Sequence, residues 1–375
     1  MDEHAIDDLR ARIRATRWAT PADGSGADVG WSLGADAGTL RRLADYWADG
    51  FDWAAQRAAI DRLPHRRVTV GGIGVTLIHA RAAGGHGLPL LLNHGWPDSS
   101  WRYRKVVPLL SDPAAHGGDP ADAFDVIVPD LPGFGRSDPP PGAALNSREV
   151  AALWAELMTA LGYDRFVTAG GDLGSHVSRY LALDHPERVI AVHRTDAGLP
   201  APGLDTAALT PEERDWIAEV ARWSASEGGY AAMHRTKPQT IAAALSDSPV
   251  GLLAWIAEKL HAWSDGDLLQ SYSMDEVLTL VTEYWLNNAI GASMRMYAAN
   301  AALPPEQLAR RVEVPSGFSL FAGDIVRPPR AWMERTANTV WVSEPEHGGH
   351  FAPFEQPDAY TEQLRTFFRR FRPVS

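Results

Sequence analysis

Cysteine is absent from the 375-residue chain, which excludes disulfides, cysteine-based zinc sites and thiol nucleophiles together. Lysine is nearly absent too: only Lys105, Lys237 and Lys259 occur among 35 basic residues. The formal net charge of −12 offers no electrostatic footprint for nucleic acid or for an anionic membrane surface. No stretch approaches about 18 consecutive apolar residues, so no transmembrane helix is expected. The opening "MDEHAIDDLRARIRATRW" is charged from its second residue and lacks the apolar run of a signal peptide. The expectation is a cytoplasmic protein. The lean toward Arg and Ala fits a GC-rich bacterial genome, where secondary metabolism and catabolism or detoxification fit equally well.

What is present reads as an ordinary globular chain, 45% hydrophobic and 22% charged, long enough for a full core. Residues 1–65 are Trp-rich and helical in pattern ("AGTLRRLADYWADGFDWAAQRAAIDRL"), an N-terminal helical meander. From 66 to 200 the texture changes to short apolar runs punctuated by Gly and Pro. "RRVTVGG" and "IGVTLIHARA" read as a hairpin; "LPLLLNHG", "FDVIVPDLPGFG", "RFVTAGGD" and "RVIAVHRTD" read as further strands with helices between them. Residues 201–300 return to a helical, aromatic-rich pattern. Residues 301–375 carry two more strands, "SGFSLFAGD" and "TVWVSEPEHGGH", and a closing helix. Continuous apolar strands alternating with helices imply a mostly parallel sheet covered on both faces. Eight such strands with a helical cap after the sixth predict an α/β-hydrolase fold.

Three polar residues stand where strands end: Asp172 after the fifth, Asp324 after the seventh and His350 after the eighth. Functional groups gather beyond the carboxyl ends of parallel strands, and nucleophile, acid, histidine is the chain order of this fold. Singly, an Asp at a strand end is more often a turn or cap residue; the ordered trio is what carries weight. Asp196, at the end of the sixth strand, is an alternative acid whose plainer role is an N-cap or turn residue. His347 is the local rival of His350, whereas His193 reads as a core residue and His94 as shaping a turn. The turn "NHGWPDSSW" points to the backbone N–H groups of Trp96 and Leu173 as an oxyanion hole, with Asp98 and its serines capping the next segment.

An aspartate at the elbow position has a chemical meaning. A serine that displaces a leaving group at a saturated carbon ends as an ether, which water cannot readily cleave. A carboxylate ends as an ester, whose carbonyl an activated water can attack. Asp172 thus suggests displacement at an sp³ carbon, with His350 as general base and Asp324 orienting the imidazole. Opening of an epoxide and release of a halide both fit. An alkoxide leaving group needs a positioned acid such as a phenol, and a halide needs only indole-like N–H donors.

At this point the chain resembles the microsomal-type epoxide hydrolases. "LRARIRATRW", "LADYWADGFDW" and "GVTLIHARA" resemble the family's N-terminal domain. "LLNHGWPDSSW", "VPDLPGFGRSD" and "AGGDLGS" resemble its core, "GGYAAMHRTKPQTIAAALSDSPVGLLAWIAEK" its cap, and "GGHFAPFEQPD" its histidine loop. The resemblance implies a cofactor-independent, metal-free enzyme that turns an epoxide into a vicinal diol, with Asp172 as nucleophile, His350 as base and Asp324 as acid. It also implies that Tyr230 and Tyr297 hold the epoxide oxygen; spacing alone would read both as core aromatics. The N-terminal anchor helix of the membrane-bound members is not seen, in line with the cytoplasmic expectation. Leu173 stands where haloalkane dehalogenases place a Trp. The expected partners are water and an apolar or aromatic small-molecule epoxide, with neither nucleic acid nor membrane, and room for a homodimer. The alternatives are a haloalkane dehalogenase and a non-catalytic ligand-binding protein on the same fold.

Overall fold

The computed structural model describes residues 3–19, 30–142, 144–200 and 204–372; residues 20–29 of the N-terminal segment and 201–203 at the start of the helical region lie outside it. The described N-terminal helices are α1 (Glu3–Arg14), α2 (Ala37–Asp49) and α3 (Trp53–Asp61). The hairpin β1 (His65–Val70) and β2 (Ile73–Ala80) follows. Next come β3 (Leu88–Asn93), α4 (Val106–Ser111), β4 (Phe124–Pro129), α5 (Ser147–Ala160), β5 (Phe166–Gly170), α6 (Leu173–Asp184) and β6 (Val189–Arg194). A helical insertion then runs through α7 (Pro211–Glu227), α8 (Gly229–Thr236), α9 (Pro238–Leu245), α10 (Pro249–Ala262), α11 (Leu268–Ser271), α12 (Met274–Leu286) and α13 (Ala289–Ala301). The chain closes with α14 (Pro305–Leu308), β7 (Val312–Ser319), α15 (Arg330–Thr336), β8 (Ala337–Ser343), α16 (Ala352–Glu355) and α17 (Pro357–Phe368).

The strands form one eight-stranded sheet of order β1-β2-β4-β3-β5-β6-β7-β8. β1 and β2 pair antiparallel, as do β2 and β4, and every later pairing is parallel. Side chains on β3 alternate between two cores. Leu91 joins Val150, Leu157, Val177 and Leu181 on the α5/α6 face. Leu90 and Leu92 join Val106, Leu110, Leu364 and Phe367 on the α4/α17 face. Both faces are covered, which is why "LPLLLN" is apolar without alternation. The connections from β3 and β5 leave in opposite directions, so a crevice opens beyond their carboxyl ends.

Helix starts follow side-chain chemistry. Asn146–Glu149, Thr210–Glu213 and Ser273–Glu276 form reciprocal capping boxes that open α5, α7 and α12. β7 begins at Val312, four residues before the strand read from the sequence, and passes through Pro315. That proline, which has no N–H to give, sits where the β7–β8 register shifts. The N-terminal helices are not loose attachments. Trp47 is buried and donates its indole N–H to Thr282 Oγ1 at 2.9 Å, and Tyr46 donates its hydroxyl to Asp275 at 2.8 Å. Both partners lie on α12 of the insertion.

Candidate active site

β5 ends at Gly170, and two residues later the chain turns sharply into α6 through Asp172, whose φ of 55° is one of two positive values among described non-glycine residues. A side chain in that region costs about 1–3 kcal/mol and persists only where its surroundings enforce it. They do so by close approach. A Cβ on Gly174 would lie 2.1 Å from Asn93 O, and one on Gly95 would lie 2.4 Å from Asp172 Oδ1, so both positions need glycine for the two strand ends to nest. Aspartate is a favoured N-cap residue, yet Asp172 makes no side-chain cap to α6. Its carboxylate is turned out of the helix.

That carboxylate meets three groups. Oδ1 accepts the Trp96 backbone N–H at 2.8 Å, and Oδ2 lies 3.6 Å from His350 Nε2. Burial opposes ionisation of Asp172, but the His350 imidazole and the N–H groups of Trp96 and Leu173 outweigh it and hold the carboxyl below its usual range. The N-terminal end of α6 adds its own positive potential.

His350 Nδ1–H donates to Asp324 Oδ1 at 2.8 Å, and both side chains are buried. Burial would lower the imidazole's pKa; the charges of Asp324 and Asp172 overcome it and push it up to about 10. His347 is exposed and faces Asp265, away from this cluster. Asp196, the other carboxylate considered, is not against His350. Its Oδ2 accepts the Asp172 backbone N–H at 3.1 Å, and its Oδ1 accepts from Ser175 Oγ at 2.9 Å and Gly198 N at 3.0 Å. Asp196 fastens the elbow.

Tyr230 on α8 and Tyr297 on α13 come from helices of the insertion to the same spot, their ring centroids 6.0 Å apart. Tyr230 stacks on Trp96 at 5.4 Å, and Tyr297 meets the Trp96 ring edge-on at 6.1 Å. Burial first, and the Asp172 charge second, raise both phenols, so they stay protonated donors. The Tyr297 hydroxyl is buried beside the Tyr230 phenol and has no other partner among the described residues. Trp263 completes a wall, 5.1 Å from Tyr230 and 5.3 Å from His350. The result is an aromatic chamber over one carboxylate.

Other residues support the site, of which Arg102 and Glu355 escape the sequence reading. Arg102 is buried, pairs with Asp98 at 3.3 Å and donates to the His350 carbonyl. Ser99, one of the serines expected to cap with Asp98, caps the short turn at Ser100–Tyr103, while Asp98 itself serves Arg102. Glu355 accepts three backbone N–H groups, from Asp265 at 2.8 Å, Phe351 at 3.0 Å and Gly349 at 3.2 Å. The His350 N–H donates to Trp263 O at 2.7 Å, so the histidine loop is sewn to the end of α10. His94 donates to Gly95 O and accepts from Leu131 N–H, which fixes the turn leading to Trp96.

The sheet order and the groups beyond its β3 and β5 ends define a hydrolase of the α/β-hydrolase fold, and residues 89–223 match the family described by that name. Residues 1–103 match the family described as epoxide hydrolase N terminus. A Stigmatella aurantiaca protein provisionally named epoxide hydrolase is 39% identical over 373 residues, covering 99% of this chain and 83% of the relative. Epoxide hydrolase 1 of Sus scrofa is 31% identical over 400 residues, covering 97% of this chain and 86% of that one. The structure of Aspergillus niger epoxide hydrolase superposes with a TM-score of 0.87 at 28% identity, over 99% of this chain and 95% of that one. The chain belongs to the epoxide hydrolase family. Among its described residues no single helix is long and apolar enough to cross a membrane.

Proposed function

We propose that this enzyme opens an apolar epoxide to a vicinal diol through a covalent ester on Asp172. The observation that carries the reading is the Asp172 carboxylate, with Trp96 N–H on one oxygen, His350 3.6 Å from the other, and two protonated phenols in its field. An Asp172 oxygen attacks a ring carbon; the C–O bond of the ring breaks, and Tyr230 and Tyr297 donate to the oxygen as its charge develops. Ester formation removes the Asp172 charge, one of the two that hold the imidazole protonated; His350 gives up that proton, which balances the one taken by the ring-derived alkoxide, and is left neutral. His350 then accepts a proton from water, with Asp324 supporting the imidazolium. Hydroxide adds to the Asp172 carbonyl carbon, the oxyanion is met by the Trp96 and Leu173 N–H groups, and collapse releases the diol and restores the carboxylate. The aromatic walls support an apolar substrate.

A single turnover in heavy-oxygen water tests this. The diol's new oxygen should come unlabelled from Asp172, with label left in the enzyme; label in the first diol would sink the covalent route. The buried indole N–H groups of Trp96 and Trp263 have no partner among the described residues and would suit a halide, so a haloalkane dehalogenase is the second reading. Halide release without diol formation would favour it.

A further inference from the structure

The chamber includes a polar side chain that the proposed chemistry does not use. His234, on α8, is fully buried. Its ring stands edge-on to Trp96 at 4.6 Å, to Tyr297 at 5.0 Å and to Tyr230 at 5.5 Å. The Trp255 indole N–H donates to His234 Nε2 at 3.2 Å. An indole nitrogen can only donate, so Nε2 is the acceptor and carries no hydrogen. Burial, with the Lys259 ammonium adding to it, lowers the imidazole to about 3, so the ring is neutral at ordinary pH. The tautomer is thereby fixed: the hydrogen is on Nδ1. That N–H is buried and has no hydrogen-bond partner among the described residues.

A buried donor left unpaired is unfavourable, and a site that contains one discriminates in favour of molecules that satisfy it. We propose that His234 is a specificity-determining residue whose Nδ1–H donates to an acceptor atom carried by the substrate close to the epoxide ring. The inference rests on the epoxide reading above and narrows it: the substrate class is an apolar epoxide bearing an ether, hydroxyl or carbonyl oxygen beside the ring. Tyr230 and Tyr297 serve the ring oxygen; His234 serves the oxygen next to it. Trp255 sets which nitrogen does so.

The test compares butyl glycidyl ether with the epoxyalkane of equal chain length, in which a methylene replaces the ether oxygen. The wild-type enzyme should favour the ether by about tenfold in kcat/KM. His234→Phe, which keeps the ring and removes the N–H, should abolish the preference, and His234→Gln, which offers an amide N–H, should retain part of it. A preference that persists in His234→Phe overturns the inference. If neither variant folds, the wild type alone decides across ether, thioether and methylene analogues: the ether should have the lowest KM, and equal values overturn the inference. Failure of the wild type to form diol from any of them overturns the epoxide reading instead, so the two failures are distinct.

Discussion

Asp172 Oδ2 and His350 Nε2 lie 3.6 Å apart, within reach of charge but beyond an ordinary hydrogen bond. Each holds the other in its charged form: the imidazole keeps the carboxyl ionised, and the carboxylate, with Asp324, keeps the imidazole protonated. In the proposed reaction the resting pair is a nucleophile beside an acid, and the acid becomes a base only when the nucleophile is consumed.

His350 should therefore titrate near 10 in the resting enzyme and lower in Asp172→Asn, which mimics loss of the carboxylate charge. The folded value lies above the ordinary imidazole value of 6.5, so the stability this ion cluster contributes is complete below about 6.5 and is lost as pH rises through about 10. Imidazole resonances followed against pH in the two proteins check this. An unchanged midpoint in Asp172→Asn would show that Asp172 is not coupled to His350.

His350→Gln should form the ester and fail to hydrolyse it. Intact-protein mass spectrometry after mixing with a reactive epoxide should show one added substrate mass, located by peptide mapping at Asp172. A variant that stays unmodified, while wild type turns the same epoxide over, counts against the covalent route.

Removing both phenols in Tyr230→Phe/Tyr297→Phe should slow ester formation by about 10²–10⁴-fold, the usual worth of a positioned acid. Each single variant should lose less, because the other phenol remains. Ester hydrolysis, measured separately after a rapid quench, should change little. A double variant that alkylates at the wild-type rate would remove the tyrosines from the chemistry.

The strands and the aspartate elbow were readable from sequence because both are local: apolar runs end in glycine, and Asp172 stands at a fixed offset. The roles given to Tyr230 and Tyr297 came only from resemblance, since spacing on a helix cannot say which phenol faces a carboxylate. Arg102 and Glu355 were not readable at all. Arg102 meets His350 across 248 residues and Glu355 meets Asp265 across 90, and neither partnership leaves a pattern in the chain. The β7 start was missed because Pro315 looks like a strand breaker until the register shift beside it is seen.

Trp47, buried between α2 and α12, should be essential to the seating of the insertion. Trp47→Ala should cost about 3–5 kcal/mol in urea unfolding, and Trp47→Phe, which chiefly loses the bond to Thr282, about 1 kcal/mol. Equal midpoints for wild type and Trp47→Ala would mean that α2 does not support the insertion.

Glu355 should reveal itself through pH. Burial raises it to about 7 against the three N–H groups it accepts, so wild-type stability relative to Glu355→Gln should fall as pH climbs from about 4.5 through 7. Thermal midpoints of the two proteins across that interval provide the comparison; parallel curves would contradict it.

The seam that joins His350 to Trp263, and Glu355 to both Asp265 and Gly349, has a mechanical consequence. Swinging the insertion off the sheet would drag His350 away from Asp324, because the stitches that hold the insertion also hold the His350 loop. The chamber works as a mould with fixed walls, not as a jaw. Widening what it accepts is then a matter of recarving α8 and α13, leaving the seam uncut.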